Sequence, residues 1–190
     1  MDIELRRIAY HEAGHAVATY LARQRIYEVS IVPKPSEDSL GHVKGEHSTP
    51  PDADSSGPVS VYFDSIGEAK VRHRIETDIM VTMAGPVAEA LLTNRRPWVV
   101  RLDESGSSEG DTSSVSDRIT YIAAYDERVI DAYLKWLWQR TRVMLNWGPH
   151  WAGVKAVAEA LLKRRHISGR LARTIIRNAI RQAAHNPEDC

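Results

Sequence analysis

Ala9-Tyr10-His11-Glu12-Ala13-Gly14-His15-Ala16 is the stretch of this chain that decides the fold. It lies within residues 3–23, which contain no proline and carry apolar residues at spacings close to 3.6. This pattern predicts an α-helix that ends near Arg25. Because helical residues four apart lie on one face with Cβ atoms about 5 to 6 Å apart, we expect His11 and His15 to face the same side.

Two imidazoles on one helical face can hold one zinc ion. Glu12 then projects beside the ion, where a carboxylate can take a proton from metal-bound water. The alternative is a surface helix that carries these three residues by chance, and the helical context favours the zinc site. Gly14 costs the helix roughly 1 kcal/mol relative to alanine, which indicates that another segment packs closely against this turn.

A catalytic zinc ion usually takes three protein ligands, so a third must lie further along the chain. No His occupies the sixth position after His15. Asp111 is the first candidate, since it lies where a Gly/Ser-rich loop meets a predicted helix, although aspartate there is often an ordinary N-cap. Glu89 is the rival ligand, because a carboxylate on an apolar segment needs a partner. A hydrogen bond from Glu89 to a ligand histidine would satisfy it equally well, so the residues alone leave the choice open.

Length and composition predict one domain over residues 1–190, with a metal-binding part over 1–125 and a helical part over 126–190. The net charge of zero disfavours a dedicated nucleic-acid-binding protein. Cys190 is the only cysteine, so zinc is not held by thiolates, and we expect a reducing compartment. Without a signal peptide or an apolar run of 18 residues, we expect a soluble, cytoplasmic chain with no membrane span.

The remaining pattern predicts a mostly α fold with a small antiparallel sheet beside the metal helix. Alternating residues over 27–32 predict a strand, and a second short strand is expected after Gly41. A helix is expected over 66–93, where Pro86 either starts a second segment or kinks a continuous helix. Further helices are expected over 113–124, 127–145, 149–165 and 168–184.

The first strand is a candidate for substrate binding. An exposed sheet edge can pair with an extended peptide through main-chain hydrogen bonds, which would involve Val29, Ser30, Ile31 and Val32. The alternative is a half-buried edge strand without such a role.

Two features of the C-terminal helices have simple structural interpretations. Four tryptophans are explained best by packing in the core or between helices: Trp136, Trp138, Trp147 and Trp151. The basic residues from Lys163 to Arg181 predict an amphipathic helix with a solvated basic face, and a surface for an acidic partner is the alternative.

The order of these motifs resembles the zinc peptidase domain of FtsH, the membrane-anchored AAA protease. The match includes the metal helix and four later segments along most of the chain: Val29–Pro33 with Leu40-Gly41, Met83–Glu89, Ser108–Asp111, and Ala158–Gly169. The resemblance implies a zincin-like helical domain in which His11, His15 and Asp111 bind one Zn²⁺ ion. It also implies that Glu12 is the catalytic base and that Glu89 has a supporting role.

The chain departs from that family at several places. Pro86 replaces an arginine, Thr112 replaces an aliphatic residue, and residues 45–74 contain additional sequence. No Gly-x-x-x-x-Gly-Lys-Ser/Thr loop is present, so we expect a peptidase that acts without its own ATPase.

The leading hypothesis is therefore a zinc endopeptidase that cleaves unfolded polypeptides or peptides. The alternatives are a non-catalytic or regulatory protein-binding module that retains the fold, and a peptidase that cleaves one specific protein. A separate ATPase or regulatory partner and a homo-oligomer stay open.

Overall fold

The described residues form five helices of at least 17 residues and one three-stranded antiparallel sheet. This computed structural model describes residues 3–33, 41–45, 66–94 and 126–185, together with positions 115, 118, 119 and 122. The helices are α1 (Ile3–Leu21), α2 (Ile66–Leu92), α3 (Glu127–Asn146), α4 (Gly148–Arg164) and α5 (Gly169–His185). The strands are β1 (Ile26–Ser30), β2 (His42–Gly45) and β3 (His166–Ser168). The prediction of a mostly helical fold with a small antiparallel sheet is confirmed.

Helix α1 is the central helix of this arrangement. It packs against α2, α4 and β1, and residues 9–14 and 16–19 are all buried. A helix covered on nearly all sides needs small residues where its neighbours approach most closely. A Cβ atom on Gly14 would lie 2.7 Å from Cβ of Ala88 and would also meet the carbonyl oxygen of Ala84. The expected close packing at Gly14 is thus confirmed, and α2 is the segment that packs there.

The end of α1 falls at Leu21, before the predicted position near Arg25. Arg23 has a φ of 60°, and its N–H donates to the carbonyl oxygen of Tyr20 at 3.1 Å. The N–H of Gln24 donates to the carbonyl oxygen of Thr19, also at 3.1 Å. This pair of hydrogen bonds is the Schellman arrangement, in which a left-handed residue ends the helix. It turns the chain directly into β1.

Strand β1 is the central strand of the sheet, and the prediction of an exposed edge is wrong. It pairs with β2 on one side and with β3 on the other, so that Val29 lies opposite both Val43 and Ile167. β3 was not expected from the sequence, and it lies at the junction of the helices expected over 149–165 and 168–184. Because β3 comes from the C-terminal part of the chain, the sheet is not confined to residues 1–125.

The alternation of buried residues along β1 also differs from the prediction. The pairing with β2 shifts register between Ile26 and Glu28, as at a β-bulge, and such a shift changes which side chains face the core. Ile26 is 6% exposed and Tyr27 is 56% exposed. The alternation over residues 27–32 places Tyr27 on the same side as Val29, whereas in the structure Val29 is buried and Tyr27 is exposed.

The helices are close to their predicted bounds. The structure has α2 as one continuous helix through Pro86, so the alternative of a separate second segment is wrong. The last three helices begin and end within one residue of the prediction, whereas most of the helix expected over 113–124 lies outside the described residues. None of the described helices has the length and apolar character needed to cross a lipid bilayer.

Candidate metal centre

His11 and His15 lie one turn apart on α1 and direct their rings toward each other. Their Nε2 atoms are 3.0 Å apart, and the ring centroids are 4.7 Å apart with the planes at 71°. His11 is buried, with an exposed fraction of 7%, and His15 is half-buried. The structure therefore brings the two ring nitrogens that face one another to a separation that a single ion could bridge.

The other nitrogen of each ring is held by an acceptor on α2. Nδ1 of His11 lies 2.6 Å from Oε1 of Glu89, and Nδ1 of His15 lies 2.8 Å from the carbonyl oxygen of Val81. Since an ionised carboxylate and a carbonyl only accept, each Nδ1 is the donor. A neutral imidazole carries one proton, so Nε2 then has the lone pair that can bind a metal. Such partners fix both the tautomer and the ring orientation of ligand histidines.

Glu89 also binds a second residue of α1. Its Oε2 accepts from Nη1 of Arg7 at 2.8 Å, and Nη2 of Arg7 donates to Oε1 of Glu4 at 2.6 Å. The hydrogen bond to Glu4 and the nearby charge of Glu89 raise the pKa of Arg7 above its ordinary value, although burial opposes this. Both oxygens of Glu89 are thus engaged beside Nδ1 of His11. Nδ1 and Nε2 point to different sides of the ring, so this position suits a support for His11 better than a ligand of an ion at Nε2.

Glu12 is a buried carboxylate, with an exposed fraction of 5%. A Cβ atom on Gly41 would lie 2.6 Å from Oε1 of Glu12, so the carboxylate touches the backbone that leads into β2. Sequence reasoning had placed Gly41 only as the residue before the second strand. The absence of a side chain at Gly41 lets this backbone approach the Glu12 carboxylate closely.

Gly85 of α2 lies against the two imidazoles. A Cβ atom there would lie 2.6 Å from Nε2 of His11 and would also meet Nε2 of His15. The missing side chain therefore keeps open the space beside both Nε2 atoms. Sequence reasoning missed this role, and the available signal was a glycine in the interior of an apolar helix, where it costs about 1 kcal/mol.

Asp111, the third ligand that the resemblance implies, lies outside the described residues. His42 lies on β2, with Nε2 3.1 Å from Oε1 of Glu28. In the part of the chain that the structure describes, no group of three His, Cys, Asp or Glu side chains is arranged to hold a metal ion.

Three of the four predicted substrate contacts, which lie at the end of β1 and just after it, are buried. Val29, Ser30 and Ile31 are 0%, 3% and 2% exposed, respectively, while Val32 is 48% exposed. Together with the pairing of β1 on both sides, this burial excludes β1 as the strand that pairs with a peptide.

Comparison with known proteins adds no assignment to this geometry. No protein-family model matches the chain, and no curated protein matches its sequence. The interpretation of the site therefore depends on the arrangement of its own residues.

Proposed function

We propose that this protein is a zinc-dependent endopeptidase of the His-Glu-x-x-His class with a zincin-like fold. His11, His15 and Asp111 hold the ion, and Glu12 is the general base. The observation that carries the proposal is the pair of Nε2 atoms 3.0 Å apart, with both Nδ1 atoms fixed by acceptors. The resemblance to FtsH peptidase domains supports the same assignment.

The donor set fits zinc chemically. Two nitrogens that direct lone pairs toward each other repel, and a cation between them removes that repulsion. Zinc takes nitrogen ligands at about 2.0–2.1 Å, so two nitrogens 3.0 Å apart can both reach one ion. Imidazole and carboxylate ligands suit zinc. Asp111 is our third ligand, because Glu89 already uses its two oxygens on His11 and Arg7.

The metal site and Glu12 have different roles in peptide hydrolysis. Bound zinc would polarise the scissile carbonyl and make water more acidic. Glu12 accepts a proton as the water oxygen bonds to the carbonyl carbon, and it passes that proton to the amine that leaves when the C–N bond breaks. The burial of Glu12 keeps its carboxylate within a fixed, poorly hydrated surrounding.

The carboxylate of Glu12 touches Gly41, the residue that precedes β2. A substrate bound at the general base would therefore lie next to this part of the backbone. The 190 residues contain no ATP-binding loop, so this domain by itself acts on polypeptide that is already unfolded.

The test combines metal content with cleavage of a fluorescently labelled unfolded protein. We expect about one zinc per chain and cleavage that stops with a chelator and returns with added zinc. Glu12→Gln should keep its zinc and lose at least about 100-fold in rate. Glu159→Gln, an exposed change on α4, is the matched control and should behave as the unaltered protein.

Two results would contradict this function. Equal cleavage by Glu12→Gln and the unaltered protein would remove Glu12 from the chemistry. A protein that binds zinc tightly and cleaves no unfolded substrate would favour the non-catalytic binding module.

A further inference from the structure

Four polar residues follow one line along α1. Glu4, Arg7, His11 and His15 are separated by three, four and four positions, and residues three or four apart are neighbours on the surface of a helix. The proposed function gives roles to the two histidines. Arg7 lies about one turn before His11 and has no part in that proposal, although its side chain is only 31% exposed.

The guanidinium of Arg7 joins α1 to α2 through three hydrogen bonds. Its Nε and Nη2 donate to the two oxygens of Glu4 at 3.1 and 2.6 Å, and its Nη1 donates to Oε2 of Glu89 at 2.8 Å. A bidentate pair such as that with Glu4 holds the planar guanidinium in one orientation, so Nη1 is directed at Glu89 by a contact within α1. A glutamine in place of Glu4 would still accept one of the two bonds.

Glu89 receives this contact on one oxygen and holds His11 with the other. Its Oε2 binds Arg7, and its Oε1 lies 2.6 Å from Nδ1 of His11. The terminal torsion of a glutamate has a broad range, so a carboxylate held at one oxygen can turn, whereas a carboxylate held at both oxygens is fixed. The side chain of Glu89 is 17% exposed. Without Arg7, water would therefore bind Oε2 and the carboxylate could turn away from His11.

We propose that Arg7 is a positioning residue for the metal ligand His11 and that it acts through Glu89. This inference rests on the proposed zinc site. Arg7 fixes the carboxylate, and the carboxylate accepts the Nδ1 proton of His11. Nε2 of His11 then keeps its lone pair toward Nε2 of His15, 3.0 Å away. The first turns of α1 thus help to orient a ligand in the middle of the same helix, by way of α2.

The competing explanation is an ion pair that only fastens α1 to α2. A second contact between these parts of the chain provides the comparison, because Nε2 of Gln24, just after α1, donates to Oδ1 of Asp78 on α2 at 2.8 Å. Loss of either contact would loosen the packing of the two helices. Only loss of the contact from Arg7 would release the carboxylate that holds His11.

The first test is the zinc affinity, measured by competition with a chromogenic chelator. Arg7→Met keeps the apolar part of the side chain, and we expect the affinity to fall about 3- to 10-fold, less than on loss of the Glu89 carboxylate itself. Gln24→Met is the matched control and should leave the affinity unchanged. Circular dichroism checks that both variants are folded. An unchanged affinity in Arg7→Met, or an equal loss in the two variants, would overturn the proposal.

A double-mutant cycle tests whether Arg7 acts through Glu89. In a Glu89→Ala background, Arg7→Met should cause no further loss of zinc affinity, because the residue through which Arg7 acts is already absent. The same loss from Arg7→Met with and without Glu89 would contradict the proposal, since Arg7 would then affect the site by another route.

The metal-free protein gives a readout that depends on neither zinc nor cleavage. Nitrogen NMR of isotope-labelled imidazole rings at about pH 8, where imidazole is neutral, shows which ring nitrogen carries the proton. His11 should carry it on Nδ1 in the unaltered chain and in Gln24→Met, whereas Arg7→Met should show a mixture of the two tautomers. A single Nδ1-protonated form in Arg7→Met would overturn the proposal. If the unaltered chain bound no zinc or cleaved no peptide, the proposed function would fail, and the tautomer of His11 would still decide whether Arg7 positions it.

Discussion

Oε1 of Glu89 lies 2.6 Å from Nδ1 of His11, which joins α2 to α1 across 78 positions of sequence. The second such link is the hydrogen bond from His15 to the carbonyl oxygen of Val81, also on α2. Helix α1 thus supplies the two imidazoles, and α2 sets their orientation. The geometry of the site depends on how closely these two helices pack, and Gly14 and Gly85 make that packing possible.

Removal of the Glu89 carboxylate should weaken zinc binding without removing a ligand. In Glu89→Ala, His11 loses the acceptor that fixes its tautomer, and we expect the zinc affinity to fall about 10- to 100-fold. Competition with a chromogenic chelator measures the affinity directly. Glu4→Gln is the control, since Glu4 is 54% exposed and pairs with Arg7, and it should change the affinity little. An unchanged affinity in Glu89→Ala would show that Glu89 does not position His11.

A methyl group at Gly85 should displace the imidazoles. Because the added Cβ would lie 2.6 Å from Nε2 of His11, the ring must move, and Gly85→Ala should lose most of its zinc. Metal analysis after purification with zinc measures this loss. The control is Gly153→Ala on α4, where the nearest atom would be an ordinary 3.5 Å away.

The free energy of unfolding provides a further check on the control variant. Gly153→Ala should be neutral or stabilising by up to about 1 kcal/mol, because alanine favours a helix interior. Full zinc content in Gly85→Ala would mean that α2 can shift away from the histidines without a change in the site.

The sequence was sufficient for the parts of the fold that local pattern controls. The periodicity of residues 127–184 defined three helices almost to the residue, and the spacing of His11 and His15 predicted that they lie on one face of α1. What it could not predict depends on contacts between distant segments. β3 has three residues, too few for a visible alternation, and only its pairing with Val29 and its neighbours makes it a strand.

The same limit applies to the site. Glu89 contacts His11 and Arg7 because α2 packs on α1. No local sequence pattern predicts that packing. The roles of Gly41 and Gly85 are likewise set by backbone that arrives from elsewhere in the chain.

Arg23→Gly should stabilise the protein. Arg23 ends α1 with a φ of 60°, a conformation that costs a side-chain-bearing residue about 1–2 kcal/mol and costs glycine almost nothing. Part of this gain is offset because glycine is more flexible in the unfolded chain. We expect a net increase of about 0.5–1 kcal/mol in the free energy of unfolding, measured by urea denaturation.

Asn94 offers a matched comparison, because it has a φ of 48° after the end of α2. Asparagine tolerates this conformation, so Asn94→Gly should change stability less than Arg23→Gly does. Destabilisation by Arg23→Gly would indicate that the arginine side chain contributes more than its backbone conformation costs.

Glu28 joins the three strands of the sheet through one carboxylate. Its Oε1 lies 2.9 Å from Nζ of Lys44 and 3.1 Å from Nε2 of His42, both on β2. Its Oε2 lies 3.3 Å from Nε2 of His166 on β3. The hydrogen bond with Lys44, followed by those with His42 and His166, lowers the pKa of Glu28 from 4.5 to about 2.

The acid stability of the protein should therefore depend on Glu28. A lowered pKa in the folded state means that the carboxylate stabilises the fold above pH 4.5, and this contribution is lost as the pH falls toward about 2. Glu28→Gln should lower the urea midpoint at pH 7. The difference in midpoint from the unaltered protein should shrink progressively as the pH falls from 4.5 to about 2. The control is Lys135→Met, which removes an ion pair on α3. Hydrogen exchange of the β1 amides in this variant should not approach that of the unaltered protein as the pH falls in the way expected for Glu28→Gln. A difference between Glu28→Gln and the unaltered protein that stays constant down to pH 2 would mean that the side chain acts through packing, with no contribution from its charge.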